Sequence, residues 1–242
     1  SKEDQGIFIV PLTITMDEKS YLDDLEIHSE DVFKRMEKDD IMVMTSQPST
    51  GSLQEAVQKI KEQGYSHIIG LPIATGLSST MNGMKLACDM LEMPVTLVDT
   101  KGTASNQKYL VEVAAKLAGE GKSPKEIKEI LEKLVEDSAT IIMVPNLEHL
   151  KKGGRITPAA AALGGLLKIK PVLTIQGEKL DSFQKTRTMQ KASKIMIEAL
   201  QKDIKERIDP IHEDMSEAHI MIAYTYDRDL ALEFKKEVEE AF

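Results

Sequence analysis

Disulfides, indole rings and membrane-length apolar runs are all missing from this 242-residue chain. The single cysteine, Cys88, excludes an internal disulfide framework and fits a reducing, cytoplasmic compartment. Tryptophan is absent, and five Phe and five Tyr are too few for the stacking platforms that grip single-stranded nucleic acid. Positive charge is in deficit, with 31 Lys+Arg against 40 Asp+Glu and a net charge of −9. That balance argues against a nonspecific nucleic-acid binder, which needs a basic face. No apolar run approaches the ~18 residues of a membrane span. What remains is a globular composition, 41% hydrophobic and 29% charged, with an unusual thirteen Met. The chain opens Ser1-Lys2-Glu3 without Met or a signal-peptide apolar stretch, and stops at Phe242 within a helical pattern. Both ends are therefore expected to be trimmed.

The first half alternates short apolar runs with helical patterns. Strands are expected at Ile7–Ile14, Ile41–Met44, His67–Leu71 and Val95–Val98. Between them lie helices: one opened by a Ser52/Glu55 capping box and closed by Gly64, one bearing Met84, Ala87 and Leu91, and one over about 105–119. Ser123-Pro124-Lys125-Glu126 opens another helix, with a cap, Pro at its first position and an acid at its third. This alternation predicts an α/β fold with βαβ units and a parallel sheet covered on both faces. The second half predicts a strand at Thr140–Val144, a short helix at Asn146–Lys151 and a glycine turn at Lys151–Arg155. An alanine-rich helix after Thr157-Pro158 and a hairpin of Val172–Ile175 with Lys179–Phe183 around Gly177-Glu178 follow. A long helix through Ala192 and Leu200, a strand at His219–Thr225 and a last helix at Leu230–Glu240 complete it. A boundary near Asp137-Ser138 divides an N-terminal α/β domain, residues 1–137, from a C-terminal α/β domain, residues 138–242.

Chemistry is expected where the Ile41, His67 and Val95 strands end, because each is followed by a turn rich in Ser and Thr. In open α/β sheets ligands bind at the carboxyl ends of strands. Hydroxyls and helix N-terminal N–H groups there suit an anionic or carbonyl head group, although Ser and Thr also serve simply as helix caps. No phosphate-loop or dinucleotide glycine signature is present. Gly76-Leu77-Ser78-Ser79-Thr80 starts like a hydrolase nucleophile elbow but lacks its closing glycine. The five His (His28, His67, His149, His212 and His219) have no metal-ligand spacing, so neither metal nor cofactor is expected. Asp99 is the one acid on this edge, either a general base or an acceptor for nearby backbone and hydroxyl donors. Donors without a nucleophile and base point to binding rather than turnover.

Met42, Met44, Met81, Met84 and Met90 lie on or near the elements carrying these turns. They are either ordinary core or an adaptable apolar lining beneath a hydroxyl mouth, a combination suited to an amphiphile with a carboxylate head. The second half gathers Lys151, Lys152, Arg155, Lys168, Lys170, Lys185 and Arg187. A solvated surface accounts for the lysines, whereas Arg155, beside Gly153-Gly154, and Arg187 are candidates for phosphate or carboxylate recognition.

Several motifs follow one another in a fixed order: Pro11-Leu12 with Tyr21-Leu22-Asp23, Thr45-Ser46-Gln47-Pro48-Ser49, Gly76-Leu77-Ser78-Ser79-Thr80 and Leu150-Lys151-Lys152-Gly153-Gly154-Arg155-Ile156. Leu166-Leu167-Lys168-Ile169-Lys170-Pro171 and Thr186-Arg187 complete the set. In this order they resemble the DegV family of bacterial fatty-acid-binding proteins. The resemblance implies a two-lobe α/β fold with an acyl tunnel between the lobes. It further implies a protein that holds a long-chain fatty acid by its carboxylate and presents it to a separate ATP-dependent fatty acid kinase for phospholipid synthesis. The carboxylate hydroxyls fall on Thr45 and Ser78, with Ser46, Gly76 and Ser79 alongside, and the partner-facing arginines on Arg155 and Arg187. Ser79 stands where the family has glycine and Met81 where it often has Tyr, changes expected to alter tunnel shape. The family's N-terminal D-S-[ST] and C-terminal T-H-T-G-P-G motifs are not among these residues.

The sequence thus predicts a monomeric lipid carrier that performs no chemistry itself. A hydrolase or phosphotransfer enzyme using Asp99 and the hydroxyl turns is the alternative, and a regulatory module with an empty cleft is the third reading.

Overall fold

Residues 2–39, 41–145, 147–165, 169–175, 179–208 and 219–242 are described in a computed structural model of the chain. They fall into two compact units, Ser1–Glu136 and Asp137–Phe242.

The first unit is built around a parallel pair. Strand β4 (Ile68–Gly70) lies beside β5 (Val95–Leu97), and α3 (Thr80–Met90) makes the crossover between them. Successive strand residues face opposite sides. Ile68 and Val95 accordingly pack with α2 (Thr50–Glu62) and α3, against Leu53, Val57, Ile60, Ala87 and Cys88. Ile69 and Val98 face the other way, onto α4 (Ala104–Gly119) and α5 (Pro124–Glu136) through Leu110, Ala114, Ile127 and Leu131. The result is three layers, helix on sheet on helix, which explains why the two strands read as short, mostly apolar runs and not as alternating ones.

A second, antiparallel sheet holds β1 (Thr13–Met16), β2 (Lys19–Leu22) and β3 (Met44–Ser46) in the order β2-β1-β3. Helix α1 (Ser29–Asp39) is connected to it through a small core of Ile14, Met16, Ile27 and Val32. This sheet changes two expectations. The run at Ile41–Met44 yields a strand only from Met44, and that strand pairs antiparallel with β1 instead of joining the parallel pair. The run at Ile7–Ile14 becomes a strand only from Thr13. Before it, Phe8 and Val10 pack on the α2/α3 core while Ile9 is 64% exposed. Pro11, which has no N–H to give a ladder, interrupts the run.

The second unit carries a sheet in the order β6-β7-β8, formed by Ile141–Met143, Lys170–Ile175 and Leu180–Thr186 and antiparallel throughout. The central strand β7 is buried from Pro171 to Ile175. Helix α8 (Met189–Asp203) covers one face through Ala192 and Ile195 against Val172. The short helices α6 (Glu148–Gly153) and α7 (Pro158–Ala161) precede β7, and α9 (Arg228–Ala241) follows α8. His219–Thr225, expected as a strand, lies outside any strand among the described residues, with Met221 43% and Tyr224 54% exposed. The hairpin turn at Gly177-Glu178, together with Leu166, Leu167, Lys168 and His212, lies outside the described residues. Among the described residues no helix is long and apolar enough to cross a membrane, and no His/Cys/Asp/Glu group could hold a metal ion.

Candidate ligand-binding site

The turn after β4 is fastened to the turn after β5. The fully buried Thr100 donates its hydroxyl to Pro72 O at 2.8 Å and to Gly102 O at 3.3 Å. Ala74 N–H donates to Gly102 O (2.9 Å), and Gln107 Nε2 to Leu71 O (2.8 Å). Asp99 accepts from Thr75 N and Thr75 Oγ1 at 3.2 and 2.5 Å, and from Lys101 N at 3.0 Å. Of the two roles the sequence allowed Asp99, the structure displays the acceptor role, because donors already engage both oxygens.

From this base the chain turns upward into α3. Leu77 N–H and Ser78 N–H both donate to Ala74 O. Ser78 is half-buried, and its Oγ accepts from Thr80 N at 3.3 Å and lies 2.7 Å from Thr80 Oγ1. If the buried Thr80 hydroxyl donates to Ser78, the Ser78 proton is left for a ligand, at the end of a helix whose dipole favours anions. Gly76 is half-buried and Ser79, the first residue flanking α3, is exposed and makes no side-chain cap. Thr80 and Thr75 were not singled out by the sequence. The Ser-x-Thr spacing signals the first as a local hydroxyl turn. Nothing local signals the second, because its partner Asp99 is 24 residues away.

Thr45 and Ser46 lie on β3 and are exposed, with Thr45 paired opposite Ile14. The turn after them caps α2 with Ser49, whose Oγ accepts from Ser52 N at 3.0 Å. The cap is therefore three residues earlier than the Ser52/Glu55 box the sequence suggested. Helices α2 and α3 come close where Gly83 has no side chain. A Cβ there would stand 3.0 Å from Leu53 Cδ1 and 3.9 Å from Gln47 Nε2. The turn that follows Thr45 on β3 and the turn that bears Ser78 thus lead into neighbouring helices. Of the methionines, Met84 touches the α2/α3 core, whereas Met44 and Met90 are exposed and Met42 and Met81 are half-buried.

In the second unit Gly154 closes α6 in the left-handed region (φ 72°), with Arg155 N–H returning to Leu150 O. Its glycine serves this cap. Arg155 is half-buried and donates Nη1 to Gly153 O. Its carbonyl accepts from Leu180 N, and Thr157 N donates to Leu180 O, so the turn is stitched to the start of β8. Asp181 adds to the stitch by accepting from Thr157 Oγ1 at 2.6 Å, a bond that holds its carboxyl below the usual range. Arg187 is exposed and follows β8 at its far end. Seven strand residues span roughly 20 Å, so the two arginines mark opposite ends of one edge strand. Lys170 donates to Pro145 O, Lys152 pairs with Glu148 at 2.9 Å, and Lys151 and Lys185 are exposed.

Comparison with known proteins identifies the family and the fold. A DegV domain-containing protein of Staphylococcus aureus is 32% identical over 241 residues, covering 99% of this chain and 82% of the relative. The crystal structure of a fatty-acid-binding DegV family protein from Streptococcus agalactiae matches with a TM-score of 0.82 at 26% identity, over 97% of this chain and 80% of that one. A stearic-acid-binding protein from Eubacterium ventriosum matches with a TM-score of 0.85 at 26% identity, over 99% of this chain and 82% of its own. The family model described as DegV, an uncharacterised protein family, matches residues 1–242, and the chain belongs to the DegV family.

Proposed function

We propose that this protein binds a long-chain fatty acid by its carboxylate and presents it to a separate ATP-dependent fatty acid kinase for acyl-phosphate formation. In this reading Thr45 and Ser78 donate to the carboxylate, with Ser46, Gly76 and Ser79 beside them. The first domain, residues 1–137, supplies the head-group turns, and the second, residues 138–242, the basic turn. The protein acts in the cytoplasm, as a monomer, without a cofactor. The observation that carries the reading is the Ser78 hydroxyl, set at the N-terminus of α3 with its oxygen already accepting from Thr80 N. The structural likeness to a stearic-acid-binding protein supports the ligand class. A sixteen-carbon chain gains on the order of 10 kcal/mol from burial before entropy costs, so the tail supplies most of the affinity, while the head-group hydrogen bonds fix orientation and add about 1.5–3 kcal/mol. The engagement of Asp99 by three donors speaks against the enzyme alternative, which needs that carboxylate as a base.

Organic extraction of the purified protein followed by mass spectrometry tests the ligand class: a stoichiometric fatty acid is expected, and its absence after loading with hexadecanoate would reject the reading. The kinase partnership is tested separately. The two ends of β8 suit contact with a protein surface better than with one small anion, so Arg155→Ala should spare hexadecanoate binding and reduce acyl-phosphate formation when a cognate kinase is supplied. Equal loss of both would mean that Arg155 serves only the turn it closes.

A further inference from the structure

The turn after β5 holds two residues in strained backbone. Lys101 and Ala104 both adopt left-handed backbone, at φ 44° and 51°, a region that side chains with a Cβ seldom occupy. Such conformations persist where the surroundings over-determine them. Here the Lys101 N–H is turned onto Asp99 Oδ1 (3.0 Å), and the same oxygen receives Thr75 N–H from the turn after β4 (3.2 Å). Asp99 Oδ2 takes the Thr75 hydroxyl at 2.5 Å. One residue before Thr75, the Ala74 carbonyl accepts both Leu77 N–H and Ser78 N–H. A short chain of bonds therefore runs from the Asp99 carboxylate through Thr75 and Ala74 to the backbone of Ser78.

We propose that Asp99 and Thr75 are positioning residues, whose clamp between the two turns holds the Ser78 hydroxyl at the angle that a fatty-acid carboxylate requires. The inference rests on the carrier reading of Ser78. It gives Asp99 a role that needs hydrogen-bond acceptance and not proton transfer. An asparagine at 99 can still accept both backbone N–H groups with its oxygen and donate its amide to Thr75 Oγ1, whose hydroxyl then turns to accept. An alanine can do neither.

The experiment is hexadecanoate titration of delipidated wild type, Asp99→Ala, Asp99→Asn, Thr75→Val and Thr75→Ser, with a thermal melt on each. Misplacement of a reacting or binding group by about 1 Å can cost up to ~100-fold, so Asp99→Ala and Thr75→Val are expected to weaken affinity by about tenfold or more. Asp99→Asn and Thr75→Ser are expected to recover most of that loss. A clamp that is merely structural would lower the melting temperature and leave the affinity of the folded protein unchanged, and that result overturns the inference. So does an Asp99→Asn as weak as Asp99→Ala, which would make the charge itself the requirement. Should Asp99→Ala fail to fold, Thr75→Val decides on the same criterion. A wild type that binds no hexadecanoate would instead overturn the carrier reading, so the two failures are told apart.

Discussion

Gly70 closes β4 at a point where a methyl group fits only if the Leu97 side chain moves. A Cβ there would meet Leu97 Cδ2 at 2.6 Å and Met84 Sδ at 3.3 Å. Gly70→Ala is expected to destabilise the protein by about 1–3 kcal/mol through overpacking, with partial recovery in the Gly70→Ala/Leu97→Val double variant; urea unfolding reads both. His67, three residues before it, hydrogen-bonds Thr96 Oγ1 through Nε2 at 2.8 Å, and burial lowers its pKa below the ordinary 6.5. A lowered histidine pKa means that the unfolded chain binds the proton more tightly. Its contribution is fully present above about pH 6.5 and is lost as pH falls through the lower folded value. Thr75 at its clamp and Ser78 at its turn illustrate what sequence can convey at this scale. The Ser78 turn is legible from its Ser/Thr content, whereas the bond from Thr75 to Asp99 joins residues 24 positions apart and leaves no local trace.

Elements follow the sequence best where local rules suffice. The expected cap and acid of α5 form a reciprocal box, Ser123 N–H to Glu126 Oε2 at 2.8 Å and Glu126 N–H to Ser123 Oγ at 3.3 Å. The Ser123 hydroxyl bond to the Glu126 carboxylate lowers its pKa, so this box contributes above the ordinary value of 4.5 and weakens as acid protonates it. Thr188 caps α8 by accepting from Lys191 N–H at 3.2 Å, and Thr188→Ala should cost about 1 kcal/mol of stability in urea unfolding. Strands were less legible, because a strand exists only with a neighbour to share its ladder. The β-rich run at His219–Thr225 has the composition without a place in any described strand, and the apolar run at Ile7–Ile14 delivers only its last residues to β1. Register likewise decides that β3 faces β1, since Ile14 opposite Thr45 sets an antiparallel pair that no motif in β3 itself announces.

At the scale of the molecule, the α/β class was readable because both strands of the parallel pair are covered on two faces and so appear as short, mostly apolar runs, with Thr96 as the polar exception. The hairpin β1–β2 and helix α1 were not read, since their strands are short and half-exposed and their core is a satellite of four buried side chains. Among the described residues, His67 is a histidine whose pKa burial lowers from the ordinary 6.5, so its proton-linked contribution begins to fade as pH drops below that value. The melting temperature is therefore expected to fall from pH 7 to pH 5, and the fall to shrink in His67→Gln; an unchanged slope would remove His67 as its cause. The proposed use of this architecture is a hydroxyl-bearing turn that holds an acid head while the acyl chain is buried. The most direct measurement is calorimetric titration of delipidated protein with hexadecanoate, wild type beside Ser78→Ala. Saturable one-to-one binding that weakens in the variant, with an unchanged melting temperature, is the predicted result. No saturable binding to the wild type, or equal affinity in both proteins, would contradict the account.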